Sequence, residues 1–371
     1  MTHRGNTIGA VALLVLAACS ACSNRATTGP GTQLPPACTF TNPVAPGADP
    51  WVVRQGDWYY FIESRDNGIF VYKSNQLTAP KRNPARVWTA PNTGWNQGNV
   101  WAPELHFIDG RWYIYYAAGR VPGAPFIHQR SGVLESVGED PQGPYADKGM
   151  LYTGSAVGTD TTVYWAIDLT AARINGQLYA VWSGWEVNAS TDRTPQHLYI
   201  ARMSNPWTIS SDRVKLSSPT ESWEDGPELD LQEGPELLTH GDQTFIIYST
   251  RESWLPDYRL GQLKLASPDA DPMNPANFVK SGPVFQAGPG VYGVGHNSFT
   301  TSPDGTENWI VYHSKVGLEP GWDRVIRMQK FEWNADGSPR FGTPAPTGRG
   351  IPLPSGECDK SGSRLSAVGA L

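Results

Sequence analysis

The stretch GRWYIYYAA, residues 110–118, decides the fold. A Gly-led turn runs into an unbroken aromatic and aliphatic series that ends in small residues. It is too short for a core helix and rich in the residues that favour a buried strand. The phrase recurs as GDWYYFIES (56–64), GQLYAVWSG (176–184), GDQTFIIYST (241–250) and GTENWIVYHS (305–314). With Tyr59, Tyr113, Tyr179, Phe245 and Trp309 as markers, the intervals are 54, 66, 66 and 64 residues. Each interval holds about four strands of five or six residues with their turns. No sustained 3.6-residue apolar period runs through the chain after its first segment. Five repeats of four strands predict an all-β, five-bladed β-propeller. A solenoid would repeat sooner, and a sandwich would not space its strands so evenly.

Composition agrees. The 371 residues include 15 Trp, 15 Tyr, 11 Phe, 39 Gly and 32 Pro, ample for an aromatic core joined by many tight turns. Charged residues make up 17% and the net charge is −6, with no basic stripe, which argues against a nucleic-acid partner.

The first residues read as an address. MTHR precedes the apolar IGAVALLVLAA, too short to span a bilayer stably. It leads to Leu16-Ala17-Ala18-Cys19, which resembles a bacterial lipoprotein cleavage signal with Cys19 as the lipid-bearing residue. The expected organisation is a signal peptide at 1–18, a lipidated Cys and flexible tether at 19–37, the propeller at 38–358 and a loose tail at 359–371. The protein is then exported to the cell envelope or beyond, touches a membrane through its N-terminal lipid only, and is expected to be a monomer. In an oxidising space Cys38 and Cys358 can bond and staple the first structural unit to the last.

Radial repetition aims the start of each blade's innermost strand at the central channel. Counting back from the markers, Asp49 lies 10 residues ahead, Glu104 9, Asp168 11, Glu233 12 and His296 13. One ionisable side chain per blade is thus expected at the hub. Glu224 and Glu228, 21 and 17 residues ahead of Phe245, fall out of phase, and their replacement by Ala is expected to change little. Phase alone does not dismiss Glu236, 9 residues ahead. Four acids and a histidine in one dry funnel repel one another, so at least one acid should hold its proton.

At these positions the chain resembles glycoside hydrolase family 43, the arabinofuranosidases, arabinanases and β-xylosidases. The phrases are GADPWVV (47–53), NVWAPELHFIDGRWYIYYAA (99–118), YWAIDLT (164–170), EGPELL (233–238), GVGHNSF (293–299) and VIRMQKFEWNADGSP (325–339), in family order. The resemblance implies inverting hydrolysis. Asp49 would be the general base, Glu233 the general acid, and Asp168 the carboxylate that raises and orients that acid. It places His296 at the channel floor and Arg327 near the sugar hydroxyls, and Glu104 belongs to its WAPE phrase; Trp51 and Trp101 adjoin two of the hub acids and could present flat faces to a sugar ring. It implies no required cofactor, although His296 could help hold a structural calcium ion in the channel. The fuller phrasing is most like exo-acting α-L-arabinofuranosidases, which implies a plant cell-wall polysaccharide or oligosaccharide as partner. β-Xylosidase, endo-arabinanase and a non-catalytic sugar-binding propeller remain alternatives.

Overall fold

A computed structural model describes residues 38–358. The expected signal peptide, Cys19 and the tail 359–371 lie outside the described residues. Five antiparallel sheets form the blades. The first holds Trp51–Gln55, Trp58–Arg65, Gly68–Ser74 and Ala85–Thr89; the second holds Gly98–Ile108, Arg111–Gly119, Arg130–Ser136 and Tyr145–Met150. The third holds Ala166–Ile174, Gln177–Gly184 and His197–Asn205, with Thr208–Ile209 and Val214–Ser217 both paired to His197–Asn205. The fourth holds Gln232–His240, Gln243–Thr250, Arg259–Leu265 and Phe278–Phe285. The first strand of each blade touches the first strand of the next, and Tyr292–Thr301 of the fifth blade returns to Trp51–Gln55. That closed ring of innermost strands is the hub.

The repeated phrases are the second strands, and both faces of each are buried. In Arg111–Gly119, Trp112, Ile114 and Tyr116 pack against the first blade, while Tyr113 and Tyr115 pack against the third. This period-two alternation explains why the phrase reads as a continuous apolar run rather than as polar and apolar in turn. The core is therefore five seams between blades, one cluster to each.

The fifth blade is built from both ends of the described chain. Tyr292–Thr301, Asn308–Lys315 and Arg324–Trp333 receive the short strand Ala45–Pro46, which pairs with Val325 and Ile326. Thr39–Thr41 pairs with Gly350–Pro352, and Cys38 is bonded to Cys358 across a sequence separation of 320.

Glu224 departs from expectation. It is fully buried and accepts hydrogen bonds from Gln232 Nε2 (2.6 Å), Tyr248 Oη (2.8 Å) and Lys280 Nζ (2.9 Å), and from the Thr220 and Glu221 amides. It is a structural anchor of the fourth blade, so its removal is not a neutral change. Glu228 sits at the surface in an ion pair with Arg193.

Candidate active site

Each innermost strand, or in the first blade the residues just ahead of it, places one residue in the left-handed region at the hub: Asp49 (φ 47°), Ala102 (40°), Asp168 (53°), Gly234 (53°) and His296 (46°). In the second to fifth blades a β-bulge accompanies it, shifting the register between Trp101 and Glu104, Ile167 and Thr170, Glu233 and Glu236, and Gly295 and Ser298. Such conformations cost a non-Gly residue about 1–3 kcal/mol, and they gather where side chains must be aimed. Gly234 meets a second demand. A Cβ there would lie 3.3 Å from the His296 ring.

The bulges correct the count made from the markers. Asp49, Asp168 and His296 occupy the equivalent position, but Glu233 precedes it by one residue and Glu104 and Glu236 follow it by two. Those two glutamates thus form a separate tier with Trp51, Thr170 and Ser298. Both are buried, and burial pushes both carboxyls well above the usual range.

Asp49, Trp51, Ala102, Glu104, His296 and Asn297 are among the residues lining a hollow of about 240 Å³ that opens to solvent. Around Asp49 the charges are positive or easily polarised. Arg324 donates from Nη1 to its Oδ1 (3.1 Å), and His296 Nδ1 and His313 Nδ1 stand 3.4 and 3.3 Å from the same oxygen. Burial alone would raise Asp49; Arg324 and the two imidazoles outweigh it and hold the carboxyl well below the usual range.

Glu233 has the opposite surroundings. Burial, and then the charge on Asp49, lift it to about 7, although Tyr258 Oη donates to its Oε1 at 2.8 Å and draws it back somewhat. Asp168 is raised by burial and by repulsion from Glu233 and Asp49, while its Oδ2 accepts the Gly234 N–H (3.0 Å). That bond ties Asp168 to the bulge beside Glu233. The site therefore holds an ionised carboxylate and a carboxylic acid at near-neutral pH, the pairing that acid–base chemistry requires.

The other expected residues divide. Trp51 lines the hollow, donates from Nε1 to Leu105 O (2.8 Å) and packs on the His106 ring at 4.5 Å. Glu104 also lines it, with Oε2 2.9 Å from His106 Nε2. Trp101 packs edge-on against Phe126 at 4.8 Å, beside the stacked Trp165 and Trp185. Arg327 is not among the residues that line the hollow. It is buried, donating from Nε to Ser314 Oγ (2.7 Å) and from its terminal nitrogens to Ala345 O and Thr347 Oγ1. Strand alternation puts residue 327 on the opposite face from 324, and Arg324 is the guanidinium that reaches the hub.

Four residues of the site were not expected from the sequence: Tyr258, His313, Arg324 and Asn297. His313 stood in plain view inside the repeated phrase, four residues past its marker; the others follow no spacing. Asn297 is buried on the wall of the hollow, and neither side-chain atom has a hydrogen-bond partner among the described residues. It offers one donor and one acceptor group to adjacent hydroxyls. As for calcium, His296 is engaged with Asp49, and among the described residues no group of three or more His, Cys, Asp or Glu converges as a metal would need. The residues do not form a protein cage for the six to eight oxygens calcium prefers.

The chain is similar to known proteins. The chain is 38% identical over 331 residues to an extracellular exo-alpha-(1->5)-L-arabinofuranosidase of Streptomyces avermitilis, an alignment covering 84% of this chain and 65% of that protein. It is 36% identical to alpha-L-arabinofuranosidase 43 of Humicola insolens, covering 90% of this chain and 68% of that one. It thus spans about two thirds of the length of these relatives. Among solved structures, an alpha-L-arabinofuranosidase from Lactobacillus brevis superposes with a TM-score of 0.75 at 30% identity, covering 84% of this chain and 98% of that one. The family described as Glycosyl hydrolases family 43 matches residues 40–339, and the chain belongs to that family.

Proposed function

We propose that this protein is an inverting, exo-acting α-L-arabinofuranosidase that removes single arabinofuranosyl units from arabinan or arabinoxylan-type polysaccharides. The observation that carries the reading is the opposite protonation of Asp49 and Glu233 at one hub. Asp49 takes a proton from a water, whose oxygen attacks the anomeric carbon. Glu233 gives its proton to the departing glycosidic oxygen. Asp168, bonded to the Gly234 amide, holds the acid's strand in place. The names of the two relatives reported above support the same substrate. Export follows from the N-terminal segment, and we place the lipid on Cys19 for the same reason.

The test is hydrolysis of an aryl α-L-arabinofuranoside and an aryl β-D-xyloside side by side. The arabinofuranoside is expected to be cleaved faster, with Asp49→Ala and Glu233→Ala each lowering turnover by about 10²–10⁴-fold. Preference for the xyloside would replace the reading with β-xylosidase. Inactivity on both, with arabino-oligosaccharide binding retained, would make the protein a sugar-binding propeller.

A further inference from the structure

Trp322 is 58% exposed, in the loop 316–323 of the fifth blade, where Val316 and Leu318 are exposed as well. Its ring packs at 5.2 Å against Trp254, which comes from the loop 251–258 of the fourth blade. Each indole is tied to one of the two reacting carboxyls. The guanidinium of Arg324, bonded to Asp49, lies 5.5 Å from the Trp322 ring centroid. Trp254 packs on the cluster of Leu229, Leu231 and Tyr258, and Tyr258 donates to Glu233. The aromatic pair therefore straddles the seam between the fourth and fifth blades, linked through Arg324 to Asp49 and through the Tyr258 cluster to Glu233. Neither indole lines the hollow.

We propose that Trp254 and Trp322 form the subsite for the sugar on the leaving-group side of the scissile bond. That ligand is a pentose ring resting its C–H face on the indole pair, across the edge that Trp254 and Trp322 share. The proposal rests on the glycosidase reading. Glu233 must deliver its proton to the bridging oxygen, so the ring that carries this oxygen lies on the Glu233 side. The Trp254 end of the pair reaches that side through Tyr258. An exposed apolar patch bordering a polar site marks a contact surface, and a flat aromatic matches the apolar face of a sugar. Arg324 over one ring fixes the plane before the sugar arrives, and Arg193, 5.6 Å from the Trp254 ring, does so for the other.

The experiment compares wild type, Trp322→Ala and Trp322→Phe on three substrates: an aryl α-L-arabinofuranoside, α-1,5-arabinotriose and an arabinofuranosyl-substituted xylo-oligosaccharide. Trp322→Ala is expected to lower the ratio of kcat/KM on the better oligosaccharide to that on the aryl glycoside by about five- to tenfold, through KM. Trp322→Phe should restore most of it. The oligosaccharide that suffers more identifies arabinan or arabinoxylan as the source of the ring. An active wild type whose ratio is unmoved by Trp322→Ala overturns the subsite alone. A wild type inert on all three overturns the hydrolase reading and the subsite together.

Discussion

Asp49 and Glu233 are both buried carboxyls, and what stands beside each decides which of them keeps its proton. Asp49 faces a guanidinium and two imidazoles; Glu233 faces a phenol and the negative charge of Asp49. With Glu233 as the proposed acid, which acts in its protonated form, kcat/KM should fall as pH rises through about 7. Asp49 titrates far below that, so it sets no acid limb in the ordinary working range. Tyr258 stabilises the charged form of Glu233, and its removal must raise that pKa. Tyr258→Phe should therefore move the basic limb to higher pH by about one unit. Turnover should drop as well, because the carboxyl loses the bond that fixes its orientation. The loss should be smaller with a leaving group acidic enough to depart unaided. A basic limb that stays put, or moves down, would show that Tyr258 acts only in packing.

At the scale of strands, the aromatic phrase made the blades legible, since a strand buried on both faces cannot hide among polar residues. The inner strands were harder to read. A bulge inserts one residue in each of four blades, and the first hairpin of the fifth blade spans Ser302–Glu307 where the others use two residues. Counting from the second strand therefore found Asp49, Asp168 and His296 at the equivalent hub position but merged Glu104 and Glu233 with them. His313 lies inside the repeated phrase of the second strand, whereas Arg324 and Tyr258 reach the hub from a third strand and a loop, where no fixed interval marks them. Glu224 shows the same limit from the other side, for being out of phase with the hub says nothing about a residue's value elsewhere. It ties Gln232, Tyr248 and Lys280 from three strands of one blade. Glu224→Ala removes the one carboxylate that Gln232, Tyr248 and Lys280 share and should cost about 3 kcal/mol, read as a lower urea midpoint. The folded fraction should keep wild-type kcat. An unchanged midpoint would refute the anchoring role.

For the propeller as a whole, the joint between its ends is the place where a ring can open. Two short strand pairings and the bond between Cys38 and Cys358 close it. A link across so long a loop contributes roughly 5 kcal/mol in the chain-entropy view, an upper value. Replacing both cysteines by Ala should lower Tm by about 10 °C, while kcat at a temperature well below the transition stays as in the parent. A double variant that melts with the parent would mean that the two strand pairings suffice.

The same joint governs when the enzyme becomes an enzyme. Asp49 is among the earliest described residues to be synthesised, yet His296, His313 and Arg324, which keep it ionised, are among the last. Four finished blades would carry Glu233 and Asp168 but a base with none of these partners beside it. Catalytic competence thus arrives with the final blade, and in a refolding experiment the return of hydrolysis would time the moment at which the circle shuts.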